Sequence, residues 1–269
     1  MVSYVALTLI PINNSRFKNG IGNDGYSLAT RGLVDGLIIS TLPDNHPVIK
    51  TLLKQKTPFV VIDAPYLDGI NYIGINDRHA AKEQMKHILD FGHSKIGIVI
   101  ERLIPDGYVG WVSEKRFRES SEHISRERLK GYLEVAEEYG ISWNDLYIYE
   151  AGGFSYQHGY HASKKILENR DITAIVAGSD VMALASLGVL EELELKVPEN
   201  VSVIGFDDIP ESEIRGLTTI HQPLKEKGAY AARMLLDNTN SNTDNNSGFQ
   251  KIIFPTFLIE RKTTAKLKK

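Results

Sequence analysis

Two sets of residues in this 269-residue chain have types and spacing suited to chemistry, and they point to different proteins. The first is Gly20-Ile21-Gly22-Asn23-Asp24-Gly25, which fits the G-x-G-x-x-G spacing. Glycines so placed let a backbone approach a pyrophosphate, as in nicotinamide and flavin enzymes. The second is a set of charged residues beside apolar runs: Asp207 and Asp208 after "VSVIGF", and Arg128 at the head of "RLKGY". A guanidinium is a planar fork that can hold two acceptors of one sugar or base at once.

Context decides against the glycines. A working fingerprint needs a strand running straight into the turn and a helix starting at it. Here the strand ends near Ile10, residues 11–19 intervene, and the acid expected about 20 positions on would be Asp44, inside the turn "PDNHP". The glycines read as a loop. Other catalytic signatures are absent: there is no G-x-S-x-G elbow, no P-loop and no cysteine. His158 and His161 sit three apart on one helix, but no third metal ligand is evident and they read as solvent-facing. No enzyme activity, cofactor or metal is expected.

The elements that must position Arg128 and Asp207 follow from patterning. Continuous apolar runs at 4–10, 35–40, 59–63, 95–100, 173–178 and 201–206 read as parallel strands covered on both faces. Amphipathic helices fall between them, at 78–91 with Ala81, Met85, Ile88 and Leu89 on one face, and at 126–139, 156–167, 180–195 and 224–237. Such alternation argues for βαβ units in doubly wound sheets. Asp180 caps its helix, with Ser179 as the alternative, and Gly205 turns the backbone at its strand end. Residues 238–248 read as a polar loop, and the last ten residues carry five lysines or arginines in a solvated tail. The net charge of −3 gives no basic excess for gripping nucleic acid directly. The first residues read as a strand rather than a signal peptide, and no apolar run approaches the ~20 residues of a membrane helix. A cytoplasmic protein is the simplest expectation.

The motifs "RLKGY" (128–132), "GHSKIGIV" (92–99), "LTTIHQP" (217–223), "FLIERKTT" (257–264) and the run 179–213 carry a resemblance through their joint order and spacing. Over about residues 58–264 the chain resembles the effector-binding core of the LacI/GalR family of bacterial transcriptional regulators. The resemblance implies an α/β fold of two Rossmann-like lobes, the type I periplasmic-binding-protein fold. It puts residues 1–92 and 222–247 in the first lobe, 93–221 and 248–264 in the second, and 265–269 in a basic tail. It implies a cleft in which Arg128 and Asp207 hold a sugar, sugar phosphate or nucleobase-like effector, with Phe154 as an aromatic wall. Ser179, Phe17 of "NNSRF" and Asp77 of "GIND" join them as ligand-binding residues, with Asn76 the alternative to Asp77. Operator DNA through a helix-turn-helix headpiece absent from this sequence, and a homodimer, are the implied partners.

Blander readings stand beside these. Asp207 and Asp208 could only cap the turn at Ile209-Pro210, Phe154 could be core, and Arg128 could lie on a charged surface, as Arg118 and Arg126 are read to do. A periplasmic sugar-binding protein would share the architecture. The chain departs from the family by being short between Phe17 and Leu33 and long over 101–125, where Tyr108 and Trp111 suit a lid or a surface loop.

Overall fold

The computed structural model describes residues 6–9, 34–44, 46–169, 171–240 and 249–268. The glycine motif at 20–25, Phe17, the stretch 17–33 and residues 241–248 of the expected polar loop lie outside the described residues. Residues 6–9, expected within a first strand, form none, and Leu7 and Leu9 are exposed. An apolar run becomes a strand only where a neighbouring ladder pairs its backbone.

The other apolar runs become strands of two sheets. The first is parallel and holds β1 (Leu37–Ser40), β2 (Phe59–Ile62), β3 (Asn71–Ile75) and, from far along the chain, β10 (Lys251–Phe254), in that spatial order. The second holds β4 (Ile96–Ile100), β5 (Gly110–Trp111), β6 (Leu146–Glu150), β7 (Ala174–Ala177), β8 (Ser202–Asp207), β9 (Thr218–His221) and β11 (Phe257–Ile259). Its order is β11-β9-β8-β7-β4-β6-β5, with only the two edge strands antiparallel.

Helices cover both faces of each sheet, which is why its inner strands are continuously apolar. The helices are α1 (Pro47–Gln55), α2 (Asp77–Asp90), α3 (Glu114–Arg118), α4 (His123–Glu138), α5 (Tyr156–Ile166), α6 (Asp180–Glu192), α7 (Pro210–Arg215) and α8 (Leu224–Asn240). In the second sheet Ile96, Ile98 and Ile100 pack against Met85 and Ile88 of α2 and Leu129 and Tyr132 of α4. Val99 and Ile175 point the other way, against Ala162 of α5 and Met182 of α6. In the first sheet α1 covers one face through Ile49 and Leu52, and α8 covers the other through Ala231 and Met234.

The chain passes between the sheets after β3, after β9 and after β10. Two elements therefore fall on the other side of the expected boundaries. Helix α2, placed with 1–92 in the first lobe, packs on α4 and the second sheet, because its apolar face matches theirs. Strand β10, placed with 248–264 in the second lobe, pairs with β3 and satisfies the outer ladder of the first sheet. The tail at 265–269 is partly tied down: the Leu267 N–H donates to Phe91 O and Ala265 O contacts His93 Nε2 at 3.0 Å. Helix α8 also runs on to Asn240, past the expected loop start at 238. The long segment 101–125 is no detached loop. Its β5 extends the second sheet, and Arg116 clamps it to Asp106 and to the buried Glu150.

Gly131 sets the distance between α2 and α4. A Cβ there would meet the Arg78 carbonyl oxygen and lie 2.9 Å from Ala81 Cβ. Gly131→Ala is expected to destabilise the protein by about 1–3 kcal/mol through overpacking, read as a lower urea midpoint.

Candidate functional site

Ligands of open α/β sheets bind outside the carboxyl ends of the strands, and here the carboxyl ends of the two sheets meet. Asp44, beyond β1, pairs with Arg126 of α4 at 2.8 Å, and its N–H donates to Ser121 O. Tyr66, beyond β2, stacks on His123 with ring centroids 5.8 Å apart. Arg126 thus bridges the lobes rather than sitting on an open surface, whereas Arg118 is exposed and pairs with Glu114.

Arg128 is at the centre of this junction. Its side chain is buried, and its Nε donates to Asp77 Oδ1 at 2.9 Å. Its Nη1 donates to the Gly178 carbonyl and lies 3.7 Å from Asp207 Oδ1. The guanidinium carbon also sits 3.6 Å from the centre of the Phe206 ring. Burial pulls the guanidinium down, but Asp77, Asp207 and Glu101 outweigh it and hold the group charged. Burial pushes the Asp207 carboxyl up to about 7, against the pull of Arg128 and with Asp180 and Glu101 adding to the rise.

The local structure explains the aim of each side chain. Asn76 Oδ1 accepts from the His79 N–H and caps α2, so Asp77 is the member of that pair that turns inward. At the end of β8 the φ angles are 120° at Asp207 and 58° at Asp208, conformations that cost about 1–3 kcal/mol in a non-glycine residue. That turn, rather than Gly205, redirects the chain. Gly205 lies within β8, where a Cβ would come 3.0 Å from Leu217 Cδ2. The strain directs Asp207 toward Arg128 and Asp208 away, toward Arg261 and His221. Neither acid caps the turn at Ile209-Pro210. Asp180 does so: its Oδ2 accepts from the Ile209 N–H at 3.0 Å and from Ser212 Oγ at 2.6 Å. Asp180 is thereby spent on tertiary bonds, and the helix cap falls to Ser179, whose side chain makes no capping bond. Phe154 is exposed beyond β6 rather than in the core, with the Arg102 guanidinium 5.0 Å from its ring centre. His158 is exposed and its Nδ1 lies 2.7 Å from Ser155 Oγ; no group of three metal-ligating side chains occurs among the described residues.

Several participants escaped sequence reasoning. Lys227 of α8 is 1% exposed; its Nζ donates to both oxygens of Asp63 at 2.7 Å and to Gln222 Oε1. Gln222 Nε2 in turn donates to Asp207 Oδ1 at 2.6 Å, which links the end of β2 to the end of β8 across the lobes. Gln84 of α2 donates to Ala177 O and Gly205 O and accepts from Tyr132 Oη at 2.6 Å, fixing α2 and α4 to the strand ends. "LTTIHQP" held Gln222 in plain view, but nothing local distinguished it from a surface amide.

Comparison with known proteins supplies the family. A model described as the periplasmic binding protein-like domain matches residues 85–264. The chain is 30% identical over 249 residues to the HTH-type transcriptional regulator DegA of Bacillus subtilis, covering 90% of this chain and 67% of that one. This chain belongs to the LacI/GalR family. It is 33% identical over 236 residues to the HTH-type transcriptional regulator Rv3575c of Mycobacterium tuberculosis, covering 86% of this chain and 64% of the relative's length. A LacI-family regulator from Corynebacterium glutamicum superposes with a TM-score of 0.81 at 28% identity, over 90% of this chain and 70% of that one. Another, from Enterococcus faecium with bound ribose, gives a TM-score of 0.75 at 28% identity, over 90% and 84%. The two-lobed LacI/GalR core is thus the fold of this chain, and no helix among its described residues is long and apolar enough to cross a membrane.

Two outcomes follow from the buried ions. Arg128→Ala would leave Asp77 and Asp207 uncompensated, and is expected to lose about 3 kcal/mol of stability, read by urea denaturation. The raised Asp207 binds a proton more tightly folded than unfolded, so its contribution is full below about pH 4 and is lost as pH rises through about 7. Asp207→Asn should therefore gain in melting temperature relative to the parent as pH goes from 5 to 8.

Proposed function

We propose that this chain is the effector-sensing core of a DNA-binding transcriptional regulator, with a small polar solute bound between the lobes. The observation that carries this reading is the buried Arg128, held by Asp77 and facing Asp207 where the carboxyl ends of the two sheets converge. In this reading Arg128 and Asp207 bind the solute's hydroxyl or acceptor groups. Phe154 packs on its ring, and Asp77 and Ser179 complete the polar lining. The ribose-bound relative supports a sugar-class ligand. In this reading the site captures a solute and carries no catalysis: Arg128, Asp77 and Asp207 are committed to one another rather than poised around a nucleophile.

The DNA contact belongs to a helix-turn-helix segment outside this sequence, and the working unit is a cytoplasmic homodimer. Capture acts on DNA by favouring one lobe arrangement. A solute that binds one arrangement tenfold more tightly shifts the balance by about 1.4 kcal/mol.

A thermal-shift screen of neutral sugars, sugar phosphates and nucleobases tests this. A ligand at 100 times its Kd should stabilise by about 2.7 kcal/mol. Arg128→Lys keeps the charge but loses the fork, so it should fold and lose most of the ligand shift. A full shift in that variant would remove Arg128 from the site.

A further inference from the structure

Glu101 follows β4 directly, at the carboxyl edge of that strand, and apart from its charge acting on Arg128 and Asp207 its side chain has entered no contact described so far. The residue is 4% exposed, and its Oε2 is buried with no hydrogen-bond partner. A carboxylate oxygen left unpaired in the interior is costly, so it persists where something else benefits. Its surroundings indicate what that is. A Cβ on Gly178 would lie 2.5 Å from Glu101 Oε2, so the carboxylate rests against the one residue that has no side chain to exclude it. The carbonyl of Gly178 accepts from Arg128, and Glu101 acts electrostatically on both Arg128 and Asp207. The free oxygen therefore belongs to the same cluster.

The charge balance of that cluster restricts its ligand. Asp63, Asp77, Glu101 and Asp207 contribute carboxyl groups, against the two cations Arg128 and Lys227. The charge of each cation is already paired, Arg128 with Asp77 and Lys227 with Asp63, so Arg128 can donate to a ligand but brings no spare positive charge to it. Beside them, Arg102 is paired with Glu122 and Arg126 with Asp44. Among the described residues, no uncommitted cation in this cluster is left to neutralise a phosphate, while one carboxylate oxygen is left to accept a proton donor.

We propose that Glu101 is a ligand-binding, specificity-determining residue that accepts a hydrogen bond from a hydroxyl or ammonium group of the effector and rejects a phosphate there. This rests on the crevice being the effector site. Hydrogen bonds to charged groups contribute enough that losing one weakens binding about tenfold or more.

The test measures melting temperature and calorimetric affinity of the whole chain with ribose, glucose, glucosamine, ribose 5-phosphate and glucose 6-phosphate, in the parent and in Glu101→Gln. The expected result is a shift with a neutral or amino sugar, little or none with its phosphate, and at least tenfold weaker binding in Glu101→Gln. A larger response to glucosamine than to glucose would identify the donor as an ammonium, and the reverse as a hydroxyl. Without ligand, Glu101→Gln and Glu101→Leu should melt close to the parent, since the lost attraction to Arg128 is offset by relief of a buried oxygen without a hydrogen-bond partner. A lower melting temperature in both would make Glu101 structural and overturn the assignment. Tighter binding of the phosphates, or unchanged affinity in Glu101→Gln, would overturn it while leaving the effector crevice standing. No response to any of the five compounds would remove the sugar-sensing reading, and this inference with it.

Discussion

One guanidinium buried among carboxylates is the constraint on which the rest of this structure depends. Taking a charge out of water costs several kcal/mol unless partners replace the solvent. Arg128 therefore requires Asp77, the Gly178 carbonyl and Asp207 to converge, and these come from the starts and ends of three different elements. The demand propagates outward. Asp77 is free to turn inward because Asn76 takes the capping role. Asp207 is held in a strained backbone conformation, and Asp180 stabilises the turn that follows. Gln84 and Tyr132 hold the two helices that deliver Asp77 and Arg128 at a fixed height above the strand ends.

The contacts that join the lobes have two strengths. At the rim, Asp44 and Arg126 are each partly exposed, and a pair of that kind contributes about 0–1 kcal/mol. Behind it, Lys227 and Gln222 lie buried between Asp63 and Asp207. In a sensor of the kind proposed, a weak rim beside a firm back would let a modest ligand affinity decide between lobe arrangements.

Much of the fold was legible in the chain. The runs "KIGIVI" and "TAIVAG" are β4 and β7, and the 78–91 pattern is α2 within a residue at each end. Strands β3, β5, β6, β9, β10 and β11 lie outside the apolar runs read as strands. β5, β10 and β11 are two to four residues long and half exposed, with no buried residue in "KIIF" of β10, while polar ends or a glycine interrupt "NYIGI" of β3, "LYIYE" of β6 and "TTIH" of β9. The lobe boundaries moved for the same reason. Nothing in the periodicity of α2 says which of two similar sheets its apolar face will meet.

By itself the sequence determined the alternation of strand and helix, the absence of catalytic signatures, and the motifs that single out Arg128 and Asp207. Those are properties of residues near one another in the chain. The tertiary structure decided the partners. Asp77 rather than Asn76 meets Arg128 across 51 residues, Lys227 finds Asp63 across 164, and Glu101 keeps an unpaired oxygen among them. Side-chain periodicity is local and survives in any arrangement of the elements. The cost of burying charge is settled only when distant segments meet.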